Sequence, residues 1–152
     1  MQLLELIAIL ISGLMVGNEI AVGFIIHPTL SRTRSEVYSD SARALARVYG
    51  RVMPIWYAAT AVLFGIVAFE LYRNGTNGYR LAIYSVLLVV GAIVFTLNGL
   101  LPINNRIAGW DLNRLPDNWE SEIWRWDVLH FIRVVMLMIA LFLFVAACFA
   151  SA

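Results

Sequence analysis

Residues 81–103 read LAIYSVLLVVGAIVFTLNGLLPI and contain no acidic or basic side chain. A helix of about 20 apolar residues crosses the roughly 30 Å hydrocarbon core of a bilayer. Since unpaired backbone groups cannot face lipid, this stretch predicts a transmembrane helix. Three other stretches have the same character, although Glu5 and Glu19 interrupt the first: 3–26, 52–69 and 134–152.

The composition excludes a water-soluble globule. Of the 152 residues, 61% are hydrophobic and 14% are charged, against about 45–50% and about 25% in soluble domains. We predict an all-α integral membrane four-helix bundle that forms one domain, residues 1–152. Its spans are expected at about 3–26, 52–72, 80–102 and 128–150.

The basic residues are distributed unevenly among the connections. The net charge of +1 does not indicate a partner nucleic acid. The short connection after span two carries only Arg73 and Arg80, whereas the two long connections carry Arg32, Arg34, Arg43, Arg47, Arg51, Arg106, Arg114 and Arg125. The positive-inside rule places the long connections in the cytoplasm and both termini on the non-cytoplasmic side. We therefore expect a bacterial inner membrane protein.

Three further patterns describe the surface of the bundle. Apolar residues at near-helical spacing between 35 and 50 predict an amphipathic helix lying on the cytoplasmic surface. Aromatic residues near span ends, including Trp56, Tyr57 and Trp124, are typical of an interfacial belt. Small residues at 13, 17 and 21 (Gly13, Gly17, Ala21) permit close approach of another helix, including one from a second copy in a homo-oligomer.

Ionisable residues within the spans are the strongest chemical signal. Glu19 lies in span one, and His130 and Arg133 lie at the cytoplasmic end of span four. Such groups cost several kcal/mol at membrane depth unless they are paired or hydrated, so they are candidate functional residues. Arg133 enters from the same side as Glu19 and has a long side chain. An ion pair between spans one and four is therefore predicted.

Other polar residues should join this pair. Asn98 lies seven residues before Asn105, which places both on one face of span three near Asn104, and Trp126 extends the face of His130 and Arg133 outward. We expect a polar pocket inside the apolar bundle, formed by Glu19, Asn98, Asn104, His130 and Arg133. The alternative is that these residues only fix the helix register.

The two histidines leave cofactor binding open. Glu19, His27 and His130 have the composition of a two-histidine, one-carboxylate metal site, although Glu19 and His27 lie about 12 Å apart along a regular helix. The two imidazoles could instead ligate one haem b. Pro28 disfavours helical backbone at His27, which is expected outside the helix at the level of the lipid headgroups.

The order of these motifs resembles the anthrone-oxygenase-like family of small four-span membrane proteins. The resemblance is carried by Gly17-Asn18-Glu19, His27-Pro28, the segment Leu101-Pro102-Ile103-Asn104-Asn105-Arg106, and later Trp110, Trp124, Trp126, His130 and Arg133. It implies an oxygenase that converts a lipophilic, anthrone-like aromatic substrate to a quinone with O2.

That activity would assign roles to the polar residues. His130 would be the base, since imidazole titrates near neutrality, and Arg133 would stabilise the oxyanion. Glu19 would orient one of them, while Asn98, Asn104 and Trp126 would contact substrate. This interpretation requires no cofactor. The alternatives are a metal- or haem-binding membrane redox protein and a non-catalytic membrane subunit.

Overall fold

The computed structural model describes residues 2–111 and 115–151, so Arg114 lies outside the described residues. This part contains four long helices: α1 (Gln2–Leu30), α2 (Ser35–Arg73), α3 (Tyr79–Ala108) and α4 (Trp119–Phe149). Each helix is long and apolar enough to cross a membrane. The predicted all-helical membrane bundle is confirmed, and three of the helices extend well past the predicted spans.

The short turn between α2 and α3 packs against the end of α4. Gly75 adopts a φ of 65°, a left-handed conformation that favours glycine. A Cβ at Gly78 would collide with the carbonyl oxygen of Ala147 and the hydroxyl of Ser151. Ser151 Oγ donates a hydrogen bond to Thr76 Oγ1 at 3.2 Å. The bundle is therefore tightly closed at this end.

The half of the bundle next to that turn is an apolar core. Phe64 of α2 and Phe144 of α4 stack at a centroid distance of 3.7 Å. Large apolar side chains also cover the outside, where Ile55 is 73% and Phe142 71% exposed. In water this surface would be costly, at about 25 cal/mol per Å², whereas in a bilayer it faces lipid.

The segment predicted to lie on the membrane surface instead begins α2. Helix α2 is continuous from Ser35 to Arg73, through Pro54. Its buried residues Tyr38, Ala42, Met53 and Tyr57 follow one face. The other helices cover this face both before and within the predicted span, so the amphipathic segment 35–50 and the span form one helix. The prediction of a separate surface helix was therefore wrong.

Two π-helical turns shape α1 and α3. They cover Val22–Ile26 and Thr96–Leu100, and each ends two residues before a proline, Pro28 or Pro102. A proline inside a helix removes a donor and clashes with the carbonyl four residues earlier, which a wider turn relieves. His27 consequently stays helical, with φ −60° and ψ −50°. Its predicted position outside the helix was wrong.

The stripe of small residues on α1 lies on the outside of the bundle. A Cβ at Gly13 or Gly17 would meet no atom within 4 Å in the described part of the chain. Contact with a second copy through this stripe stays a prediction.

Candidate active site

A cavity of about 150 Å³ lies inside the bundle, in the half away from the short turn. Most of its wall is apolar, and residues of all four helices contribute. Its polar side chains are Glu19, His27, Tyr49, Tyr57, Thr96, Asn104, Trp126, His130 and Arg133. The cavity therefore combines an apolar volume with a concentrated set of hydrogen-bonding groups, as expected of a small-molecule site.

Glu19 and Arg133 form the predicted ion pair across α1 and α4. Arg133 Nη2 lies 2.7 Å from Glu19 Oε2, and the residues are only 6% and 1% exposed. Tyr57 donates its hydroxyl to Glu19 Oε1, and Arg133 Nη1 lies 3.4 Å from Thr96 Oγ1. Glu19 is thus doubly bonded, while no described residue accepts a hydrogen bond from the buried Arg133 Nε.

His130 bonds through both ring nitrogens. Arg133 Nη2 lies 2.9 Å from His130 Nδ1, and His130 Nε2 lies 3.0 Å from the backbone oxygen of Glu19. A guanidinium only donates, so Nδ1 is the acceptor and Nε2 carries the hydrogen. We call Glu19, Tyr57, His130 and Arg133 the ionic cluster. Within it, His130 has no lone pair free for a substrate.

Trp126 lies between the two histidine rings. Its indole stacks on His27 at 4.2 Å and on His130 at 4.6 Å between ring centroids. Trp126 Nε1 donates to Asn104 Oδ1 at 2.6 Å, which fixes the indole in this place. Trp126 is therefore part of the cavity wall.

The arrangement of these side chains bears on the metal alternative, whereas haem binding by the two imidazoles stays a prediction. In the described part of the chain, no three His, Cys, Asp or Glu side chains are placed to hold one metal ion. The proposed set of Glu19, His27 and His130 is therefore not assembled around a shared point.

His27 has a partner that the sequence did not suggest. Its Nδ1 lies 2.8 Å from Oδ1 of Asp127, whose side chain is 49% exposed at the start of the span in α4. His27 itself is 8% exposed and lines the cavity. The Asp127–His27 pair therefore connects the buried cavity with the surface of the protein.

Asn98 does not join the site. It is exposed, as is Asn105, and its amide donates to the carbonyl of Val94 at 2.7 Å. In the π-turn Thr96–Leu100 it is Thr96 that lines the cavity, while Leu100 is buried in the core. The prediction that Asn98 lines the pocket was wrong. On α3, Thr96 lines it instead.

Tyr57 was interpreted as an interfacial anchor, yet it is buried and bonds Glu19. Tyr49, eight residues earlier on the same face of α2, donates to Asn18 Oδ1 at 3.1 Å. The sequence signal that could have predicted these contacts was the eight-residue spacing of the two tyrosines. Their hydroxyl groups bond the adjacent residues Asn18 and Glu19 of α1. The indoles and phenols at span ends are thus not all belt residues.

Gly23 is required for the approach of α4 to α1. A Cβ there would lie 2.9 Å from Cδ2 and 3.0 Å from Nε2 of His130. We expect Gly23→Ala to displace the His130 ring and lower the free energy of unfolding by about 1–3 kcal/mol. Detergent-driven unfolding measures this loss. The control is Gly17→Ala on the same helix, where the new Cβ meets nothing within 4 Å; equal losses in both variants would contradict the prediction.

Fold and site together define a class: a four-span membrane protein whose buried ionic cluster faces an apolar cavity. Residues 43–143 match the family model described as Anthrone oxygenase, and the chain belongs to this family. The matched range contains Tyr57, Trp126, His130 and Arg133, whereas Glu19 and His27 precede it. No curated protein and no solved structure matches the chain.

Proposed function

We propose that the protein is a membrane-embedded oxygenase that oxidises a lipophilic, anthrone-like aromatic ketone with O2. The observation that carries the proposal is a buried guanidinium beside an apolar cavity, with its Nε donor unpartnered among the described residues. Membership of the anthrone oxygenase family supports the reaction class. The two Arg-rich connections would lie in the cytoplasm, with the bundle in a bacterial inner membrane.

The reaction converts a methylene group between two aromatic rings into a carbonyl group. Removal of one proton from the methylene leaves its electron pair delocalised onto the existing carbonyl oxygen as an enolate. O2 then takes four electrons in all: one oxygen atom becomes the new carbonyl, and the other leaves as water with both methylene hydrogens. The balance, anthrone plus O2 giving anthraquinone plus water, needs no further oxidant or reductant.

The ionic cluster suits the enolate stage of this reaction. Arg133 has a donor to spare, and Glu19, Tyr57 and Thr96 hold its guanidinium in place. A preorganised donor in a site shielded from water stabilises developing negative charge without reorganisation at the moment of reaction. We assign Arg133 to the oxyanion and Glu19 to its orientation, with Asn104 and Trp126 forming the wall against which the substrate rings lie.

Oxygen uptake with anthrone tests the proposal. Purified protein in lipid vesicles should consume O2 in proportion to anthraquinone formed, above the rate of protein-free vesicles at the same pH. Heat-inactivated protein is the second control, because anthrone also oxidises slowly by itself. Uptake no faster than in both controls would overturn the proposed function.

We propose that substrate enters sideways from the bilayer. Four residues line the cavity and are also exposed on the outside, and all are apolar or small: Gly50, Pro54, Ala58 and Leu97. Gly50, Pro54 and Ala58 follow each other at four-residue intervals along one face of α2. Their small side chains leave an opening opposite Leu97 of α3, at a depth where the hydrocarbon chains of the bilayer surround the protein.

A large side chain at this opening should obstruct entry. We expect Ala58→Trp to raise KM for anthrone about tenfold or more, a loss of roughly 1.4 kcal/mol in apparent binding, with a smaller effect on kcat. Ala59→Trp is the matched control, because Ala59 is also exposed on α2 but does not line the cavity. Equal kinetics for the two variants would contradict this route.

A further inference from the structure

The two histidines of the cavity differ in the atoms they leave free. His130 accepts from Arg133 through Nδ1 and donates through Nε2 to the Glu19 carbonyl, so both ring nitrogens are occupied. A general base needs an unshared lone pair within hydrogen-bond reach of the proton that it takes. His130 would have to break a buried hydrogen bond before it could act.

His27 meets the requirement that His130 fails. Its Nδ1 lies 2.8 Å from Asp127 Oδ1 in an ion pair, without the geometry of a hydrogen bond. The neighbouring carboxylate favours a hydrogen on Nδ1, which leaves the lone pair on Nε2. His27 lines the cavity, and among the described residues its imidazole has the Asp127 ion pair and ring contacts with Tyr38 and Trp126, none of which engages Nε2 in a hydrogen bond. The indole of Trp126 stacks on one face of the His27 imidazole and so fixes the orientation of that ring.

We propose that His27, rather than His130, is the catalytic base of this protein, and that Asp127 is its positioning residue. The inference rests on the proposed function and names the group that starts the reaction. Asp127 holds the tautomer of His27 that has its lone pair on Nε2, and its carboxylate stabilises the imidazolium that forms. Neither residue belongs to the ionic cluster.

The shape of the substrate supports the assignment of the base and the oxyanion donor to residues in different parts of the cavity. In an anthrone, the methylene carbon and the carbonyl oxygen lie at opposite ends of the central ring. The base and the oxyanion donor must therefore lie on different sides of the substrate. His130 lies beside Arg133, at 2.9 Å, whereas His27 lies across the Trp126 indole from His130.

The proton-transfer step is balanced within the site. A C–H bond of the methylene breaks, its proton bonds to His27 Nε2, and the electron pair moves to the carbonyl oxygen near Arg133. After O2 adds to the carbon, the imidazolium returns the proton to the peroxide oxygen. Loss of water repeats the transfer with the second methylene hydrogen, so that His27 ends neutral.

Deuterium exchange under anaerobic conditions isolates this step from the chemistry of O2. Anthrone in vesicles containing the wild-type protein should exchange its methylene hydrogens with D2O faster than in protein-free vesicles. We expect His27→Gln to lower the protein-dependent rate about 10²–10⁴-fold, the usual contribution of a general base. His130→Gln, the matched variant, should lower it less, because it disturbs only the placement of Arg133.

Further variants keep the test decisive. Small-molecule imidazole should restore part of the exchange in His27→Ala, which a folding defect would not allow. Asp127→Asn should lower kcat about tenfold or more with KM unchanged, and Asp127→Glu should recover part of that loss. Glu120→Gln, another exposed carboxylate seven residues earlier on α4, should match the wild type.

The outcomes separate the two proposals. No anthrone-dependent O2 uptake and no exchange with the wild-type protein would overturn the proposed function together with this inference. Normal uptake and exchange in His27→Gln, or a larger loss in His130→Gln than in His27→Gln, would overturn the inference alone. Loss of exchange in His27→Gln, together with rescue of His27→Ala by imidazole, would support it.

Discussion

Replacing Arg133 by methionine should lower the free energy of unfolding by about 3–5 kcal/mol, the usual cost of leaving a buried charge without its partner. Glu19 is 1% exposed and would lose the guanidinium 2.7 Å from its Oε2. Among the described residues, Tyr57 and His130, whose Nδ1 lies 3.5 Å from Oε2, would then face the carboxylate without a compensating guanidinium. Unfolding in mixed detergent micelles, followed by circular dichroism, measures the change.

A second variant removes both charges. Glu19→Gln combined with Arg133→Met leaves no isolated ion, so this double variant should be more stable than Arg133→Met alone. The matched control is Arg106→Met on α3: Arg106 also forms a 2.7 Å pair, with Glu122, but its side chain is 49% exposed. An exposed pair contributes about 0–1 kcal/mol. Similar losses for Arg106→Met and Arg133→Met would show that burial does not set the strength of the ionic cluster.

Replacing Arg133 by lysine should lower kcat for anthrone oxidation about 10²–10³-fold, as removal of a preorganised oxyanion donor does. Lysine retains the positive charge for Glu19. Its single ammonium group cannot reproduce the planar fork that reaches Glu19, Thr96 and His130 and leaves Nε–H free for substrate. Anthrone-dependent O2 uptake at saturating substrate measures the loss.

Stability should respond differently in this variant. Because the charge is kept, Arg133→Lys should lower the free energy of unfolding less than Arg133→Met does. Arg106→Lys, the matched exposed replacement, should leave both kcat and stability near wild type. If Arg133→Lys oxidised anthrone at the wild-type rate, the guanidinium would be only a structural tie between α1 and α4.

Several features of the molecule were predictable from the sequence. The four spans follow from apolar runs long enough for a bilayer, and the Glu19–Arg133 pair follows from the cost of isolated charge in that setting. Both inferences need only the type of each residue and its depth along a helix. The structure places the two side chains 2.7 Å apart, as the depth argument requires.

Other features depended on how each helix is rotated, which depth along the chain does not specify. Asn98 was expected in the pocket because of its spacing from Asn105 and Asn104, but it is exposed, and Thr96 of the π-turn Thr96–Leu100 lines the cavity. The turn Val22–Ile26 likewise keeps His27 helical and buried beside Trp126, where a regular helix followed by proline predicts an extended residue.

The linear sequence therefore determined the class of the protein, the number of spans and the identity of the charges that must meet, because apolar length and the cost of burying charge are properties of each segment. Only the tertiary structure decided which face of each helix looks inward. That choice placed the Trp126 indole between the two imidazoles, occupied both nitrogens of His130 and joined His27 to Asp127. The reason is that hydrogen bonds and ring stacking depend on the rotation of each helix about its axis, which the two π-turns and the packing of all four helices set together.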